Sequence, residues 1–227
     1  MSPPPYPRTP YLYAPEEGAR DDAVLAPAEC LAWLNSTVRV EEKLDGANVS
    51  LWQEGGRLEV ASRGGPAAMD RGKQLGRLRA WAAEHSDRLH DLTDAGWVMY
   101  GEWLWLTHTV HYDRLPDYLV VLDLWHPDHD FAPPEERDGR CTEIGLACPP
   151  TIFTGVLRTA DRLVVLLGQS AFSTSVAMEG AVLRSLDHRR CKVLRPGLVR
   201  RSDESWSQRR LYNRLAPVSP AASPRGG

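Results

Sequence analysis

The sequence is short of several things that would mark a special environment. It has no run of about 18 apolar residues, so no segment is built to cross a bilayer as a helix. The opening residues, Met1-Ser2-Pro3-Pro4-Pro5, lack the basic and apolar stretches of a secretory leader. Cysteine is scarce: Cys30, Cys141, Cys148 and Cys191 are scattered, and no two form a CxxC. Zinc-knuckle spacing is therefore absent, and all four read as free thiols of a reducing compartment, the cytoplasm, with no membrane attachment. Positive charge is not in excess, since the formal net charge is −3. That excludes a uniformly basic nucleic-acid coat but leaves room for a local basic patch.

What is present is an ordinary globular composition. The chain has 227 residues, 42% hydrophobic and 25% charged, enough for one good-sized domain. Strand signals dominate. Val38–Glu42 alternates, and Asn48–Trp52 and Arg57–Ala61 flank Glu54-Gly55-Gly56, which predicts a β-hairpin. Trp97–Tyr100 and Leu119–Asp123 are short apolar runs of buried-strand type, and further strands are expected at 179–184 and 191–195. A helix is expected over 73–91, where Leu75, Leu78, Trp81, Ala82 and Leu89 recur at spacings of three and four. Another is expected over 160–168 after Thr159 as N-cap. The sum is α+β with antiparallel sheets.

The chemistry-bearing residues cluster at strand ends. Glu42-Lys43-Leu44-Asp45-Gly46 puts a lysine at the end of a strand, an acid two residues on, and a glycine that lets the backbone turn. Of the three lysines in the chain, Lys43 alone sits in a KxDG turn. An amine is a nucleophile only when deprotonated, so such a lysine needs desolvation, neighbouring cations or a metal ion to shed its proton. Downstream come Ser62-Arg63-Gly64, Tyr100-Gly101-Glu102, Leu122-Asp123, Glu179-Gly180-Ala181-Val182-Leu183-Arg184 and Arg190-Cys191-Lys192. Each places a polar group at the edge of an apolar strand, as the lining of a cleft between two sheets would. The pairs His108/His111 and His126/His129 have no third ligand in a fixed pattern and read as structural.

This order of motifs resembles the covalent nucleotidyltransferases, the superfamily of ATP-dependent ligases and capping enzymes. KxDG, SRG, YGE, an apolar strand with Asp, EGxVxR and a basic pair run collinearly from residue 43 to 192 or 195. Gly101-Glu102-Trp103, Leu115-Pro116-Asp117-Tyr118 and Leu194-Arg195-Pro196-Gly197 are most similar to the RNA ligase branch. The resemblance implies an ATP-grasp-like nucleotidyltransferase fold, with two antiparallel sheets flanked by helices around a nucleotide cleft. No OB-fold domain is expected, because 35 residues follow Lys192. The expected organisation is an extended lead-in over 1–20, an adenylation domain over 21–200, a short basic extension over 201–216 and a frayed tail over 217–227.

The resemblance also implies roles. Lys43 is the nucleophile that takes AMP from ATP, and Asp45 helps position it. Glu42 lies near the adenine, Arg63 and Glu102 hold the ribose hydroxyls, and Arg63 has the RNA 5′-phosphate as an alternative partner. Glu179 is the acid linked to Mg²⁺ or Mn²⁺, while Arg190 and Lys192 clamp the α-phosphate. The usual Lys-x-Lys is replaced by Arg190-x-Lys192 or Lys192-x-x-Arg195, so Lys192 is the member kept by either register. The aromatic expected before Asp123 is replaced by Leu122 or Leu119, leaving an aliphatic wall, or Trp125, to face the base. Ten cations against three acids over 184–214 suggest a track for RNA phosphates that includes Arg195, Arg200 and Arg201. The expected substrate is RNA with 5′-phosphate and 3′-hydroxyl ends, engaged with help from a partner protein. The alternatives are a DNA ligase, a GTP-dependent capping-type enzyme, or a nucleotide-binding module without chemistry.

Overall fold

The computed structural model describes residues 3–16, 18–19, 21–63, 73–198 and 211–217. Among these, five helices and nine strands run in the order α1 (Pro27–Asn35), β1 (Thr37–Lys43), β2 (Ala47–Glu54), β3 (Arg57–Ser62), α2 (Lys73–Glu84), α3 (Ser86–Thr93), β4 (Val98–Trp103), β5 (Leu119–His126), β6 (Asp130–Phe131), α4 (Pro134–Glu143), β7 (Thr151–Val156), α5 (Ala160–Leu166), β8 (Gly180–Ser185) and β9 (Arg190–Leu194). The strands form two antiparallel sheets, ordered β7-β1-β8-β9 and β3-β2-β4-β5-β6. No helix of the described residues is long and apolar enough to cross a membrane.

Side-chain alternation decides what each sheet buries. In β1, Val38 and Val40 enter a core with Trp33 of α1 and Leu163 of α5. Arg39, Glu41 and Lys43, at the intervening positions, lie on the opposite face, toward the cleft. In β2, Val49 and Leu51 enter a second core with Leu75, Leu78 and Trp81 of α2 and Leu89 of α3. Asn48, Ser50 and Trp52 therefore share the cleft face. Helices α1, α2, α3 and α5 cover the outer faces, and the polar inner faces meet across the cleft.

The expected helix over 73–91 divides at His85, where α2 gives way to α3. The expected cap on α5 is present: the Thr159 hydroxyl accepts from the Arg162 amide at 3.3 Å. Four elements lie outside those expectations, and β6, a two-residue strand at the edge of the second sheet, is one of them. α1 begins on Pro27 and α4 on Pro134, and β7 completes the first sheet. Residues 10–12, within the expected lead-in, are tied into the sheet. Leu12 N–H donates to the Lys192 carbonyl at 2.8 Å, and Lys192 N–H to that of Pro10 at 2.9 Å, so residues 10–12 cover the free edge of β9. Leu12 is fully buried there. At the other end, the Asn213 side chain donates to the carbonyls of Leu104 (2.8 Å) and Leu106 (3.2 Å) and accepts from the Tyr112 amide (2.9 Å). Those bonds dock residues 211–217 on the loop after β4.

Candidate active site

A cavity of about 200 Å³ opens between the sheets. Lys43, Gly46, Arg63, Glu102, Leu122, Val182 and Lys192 are among its lining residues, so elements far apart in sequence converge on it. Lys43 ends β1 and its ammonium is ion-paired with Glu179, which precedes β8. The geometry follows from the register: Lys43 faces Gly180 across the β1–β8 ladder. A Cβ on Gly180 would lie 2.0 Å from the Val193 carbonyl oxygen, so that position needs glycine for β8 and β9 to close beside the pair.

Electrostatics fix the resting state. Burial works to lower the Lys43 pKa, but Glu179, Asp45 and Glu102 outweigh it and hold the ammonium above its ordinary value. Burial raises the Glu179 carboxyl, and Lys43 opposes that rise. Burial likewise pushes Glu102 up to about 7, with Lys43 and the Gly46 amide pulling down. Lys192 is lowered, chiefly by burial, although Asp22 pairs with it at 2.5 Å.

The other expected residues divide between the cavity and its support. Glu102 accepts from the Gly46 amide at 2.9 Å, which fixes the turn after Lys43. A Cβ on Gly46 would meet the Trp103 carbonyl oxygen at 2.5 Å. The Asp45 carboxylate is spent on the loop after β4, accepting from the amides of Thr109 (2.5 Å) and Val110 (2.8 Å). Its action on Lys43 is through charge. Glu42 borders the cavity, but its carboxylate turns through the strand to the Ser170 hydroxyl (2.5 Å) and the Ala171 amide (2.9 Å). Alternation requires this, because adjacent residues of β1 point to opposite faces. Arg63 is exposed at the cavity edge.

Leu122 lines the cavity opposite Val182, while Leu119 is buried in the core and Trp125 is not among the lining residues. A β-bulge explains why. Tyr100 pairs with Asp123 and Gly101 with Val121, so Leu122 is the extra residue. Its carbonyl, lost to the ladder, accepts from Arg137 (2.7 Å) and Arg184 (2.8 Å). These two guanidinium groups are buried and share Glu41, which accepts from Arg137 at 2.6 Å and Arg184 at 2.7 Å. Arg184 also pairs with Asp123 at 2.7 Å.

Arg190 lies elsewhere. Its guanidinium pairs with Asp123, donates to the Tyr6 hydroxyl at 2.5 Å and sits over the Tyr6 and Phe131 rings. Arg195 lines a smaller cavity with Tyr13 and Glu16. Arg200 and Arg201 fall outside the described residues. His126 and His129 stack on each other and against Trp97. Sequence reading missed Arg137, the bulge at Leu122 and the arrival of Tyr6 and Thr9 at the cavity wall. For Arg137 a signal existed, since it stands four residues before Cys141 and so shares the buried face of α4.

Residues 36–197 match the family model described as RNA ligase. No curated protein matches the sequence significantly. Solved structures of a Naegleria gruberi RNA ligase share the fold. The form with pyrophosphate aligns with a TM-score of 0.51 at 17% identity, covering 74% of this chain and 52% of that one. An apo variant and a variant with AMP and manganese each align at 0.51, with 14% and 13% identity, covering 86% of this chain and 57% of theirs. The chain thus spans little more than half the length of these structures. The family match covers most of the chain and contains every strand of both sheets, and on that ground the chain belongs to the RNA ligase family.

Proposed function

We propose that this protein is an ATP-dependent RNA ligase working in the cytoplasm through a lysyl-AMP intermediate on Lys43. The observation that carries the reading is the placement of Lys43 in one cavity with Glu102, Arg63 and Lys192, its ammonium paired to Glu179. In the first step Nζ, having lost a proton, attacks the α-phosphorus of ATP. A P–N bond forms, the P–O bond to pyrophosphate breaks, and pyrophosphate leaves. In the second, an oxygen of an RNA 5′-phosphate attacks the same phosphorus, the P–N bond breaks and the lysine regains a proton. In the third, an RNA 3′-hydroxyl attacks the activated 5′-phosphate, the phosphodiester forms and AMP departs. The phosphoramidate conserves the activation supplied by ATP between steps.

Each residue has a physical task in this scheme. Leu122 and Val182 offer apolar faces to the base from opposite sheets. Glu102, once ionised, accepts from ribose hydroxyls, and Arg63 donates at the cavity edge. Lys192 carries positive charge to the α-phosphate. Arg190 is held by Asp123 and acts by fixing that wall. The Arg-rich stretch containing Arg195, Arg200 and Arg201 would follow the RNA backbone.

The residues fit a divalent cation such as Mg²⁺ or Mn²⁺. Glu179 is a buried carboxylate beside the nucleophile, and it needs a new counter-charge whenever Lys43 is neutral. Such an ion neutralises charge on the phosphates, and one carboxylate with phosphate oxygens and water suffices to hold it. The Naegleria enzyme has been solved with pyrophosphate and, as a variant, with AMP and manganese, which are species this scheme uses.

The test is labelling with α-³²P-ATP and Mg²⁺, followed by a denaturing gel. The expected result is a labelled band that Lys43→Ala abolishes while its circular dichroism is unchanged. Labelling by GTP and not ATP, or undiminished labelling of Lys43→Ala, overturns the reading. Ligation of nicked duplexes with RNA or DNA on either side then fixes the substrate.

A further inference from the structure

The cleft continues past the cavity that holds Lys43. A second cavity of about 240 Å³ adjoins it, and Tyr6, Asn48 and Arg63 line both. Its floor is the cleft face of β2 and β4, where Ser50, Trp52 and Tyr100 are presented by strand alternation. Its other side is the segment Pro3-Pro4-Pro5, held in place because the Tyr100 hydroxyl donates to the Pro4 carbonyl at 2.6 Å. The Tyr6 ring, 5.0 Å from that of Tyr100, stands between the two chambers.

Among the described residues that line this second chamber, Arg63 alone is charged. Arg63 stands at the boundary with the first cavity. The Trp52 indole N–H points to the Glu54 carboxylate at 3.4 Å. A ligand carrying phosphate is thus oriented with its phosphate toward Arg63 and its uncharged part on Trp52. The chemistry proposed above makes such a ligand: transfer of AMP to a 5′-phosphate yields two nucleosides joined 5′ to 5′ by a pyrophosphate. A second nucleoside must then lie within two phosphates of the adenosine.

We infer that this second cavity receives the 5′-terminal nucleoside of the strand being activated, its base against Trp52 and its phosphate at Arg63. The inference rests on the ligase reading and adds to it a binding site for the polynucleotide end. Proline and tyrosine on one side and an indole on the other give a flat slot that holds a base by stacking, which accepts every base.

Two steps are measured separately on the full chain. Lysyl-AMP formation reports the first cavity alone. Transfer of AMP from the isolated lysyl-AMP protein to a 5′-phosphorylated RNA trinucleotide, without ATP, reports the second. Trp52→Ala forms lysyl-AMP at the unaltered rate and raises the KM for the trinucleotide roughly tenfold, as expected for loss of one base stack. Trp52→Phe restores most of that loss. Ala61→Phe, which fills the chamber from β3, shows the same division between the steps. Transfer by Trp52→Ala and Ala61→Phe with unaltered KM overturns this inference alone. Absence of lysyl-AMP in the unaltered chain overturns it together with the ligase reading.

Discussion

Replacing Glu41 by Gln tests whether the cavity wall is held by buried charge. Glu41 is 1% exposed and accepts from Arg137 at 2.6 Å and 3.3 Å and from Arg184 at 2.7 Å, with Arg39 at 3.1 Å. Arg137 is 0% exposed and cannot turn to water. Glutamine keeps the volume, removes the charge and aims an amide NH₂ at a guanidinium group. Breaking a buried pair of this kind costs about 3–5 kcal/mol. Asp123 and Asp138 still face Arg184 and Arg137, which places the expected loss near the lower bound, about 3 kcal/mol. For a chain of this length that lowers Tm by roughly 6–12 °C. Calorimetry and urea unfolding measure it, with Arg140→Ala as reference. Arg140 pairs with Glu136 at 2.8 Å across one exposed helical turn, a pair worth about 0.5 kcal/mol or less. Because Arg137 and Arg184 also hold the Leu122 carbonyl, Glu41→Gln raises the KM for ATP as well. A melt of Glu41→Gln within about 2 °C of the unaltered protein refutes the argument, since buried guanidinium groups would then need no counter-charge.

Three further outcomes follow from the site. Glu102 has its pKa raised by burial from 4.5 to about 7, so the folded state holds a proton that the unfolded chain has released between those values; its contribution to stability falls as pH rises through that window, urea midpoints decline from pH 5 to pH 7, and Glu102→Gln flattens the slope. Lys43 is held protonated by its carboxylate neighbours, so the rate of lysyl-AMP formation rises with pH between 7 and 9, and a flat profile in single-turnover labelling would contradict the ion pair. Gly180→Ala forces a Cβ against the Val193 carbonyl; it destabilises by about 3 kcal/mol in thermal melts and depresses labelling, because the β8–β9 closure that carries Glu179 and Lys192 is lost.

Much of the site was legible because its residues stand at strand ends, where alternation and turn glycines leave a local signature. Lys43, Glu102, Glu179 and Lys192 could be picked from their positions near a glycine or on an apolar strand, and the structure brings them around one cavity or onto its lysine. The hairpin glycines Gly55 and Gly56 have positive φ, as the turn at 54–56 requires. What escaped depends on pairings that sequence spacing does not encode. The bulge that exposes Leu122 is a property of the β4–β5 register and leaves no trace in the residues of β5 alone. Arg137 finds Glu41 across 96 residues, and Tyr6 finds Asp123 across 117. The carboxylates of Asp45 and Glu42 read as site groups by proximity to Lys43. Their bonds to the loops at 109–110 and 170–171 show that the carboxylates flanking Lys43 hold the loops around its pocket.

The resting pair of Lys43 and Glu179 bears on how the nucleophile proposed above would be released. Burial alone would favour the free amine, yet three carboxylates reverse that preference and keep Lys43 protonated. Removing one carboxylate's influence therefore moves the balance toward the free amine, and Glu179 is the one in direct contact. Anything that takes over the Glu179 charge exposes the amine at the moment phosphate arrives, while Lys192, whose pKa burial has lowered, adds repulsion against the ammonium. A lysine simply buried in apolar surroundings would be neutral at all times and open to any electrophile that entered. In the scheme proposed above, release would be tied to neutralising the carboxylate paired with Lys43, so that one group would both mask and activate the amine. Glu179→Gln separates the two roles: it frees the amine, seen as faster reaction of Lys43 with a small acylating reagent, while abolishing lysyl-AMP formation. If Glu179→Gln leaves both rates unchanged, the carboxylate neither masks nor activates.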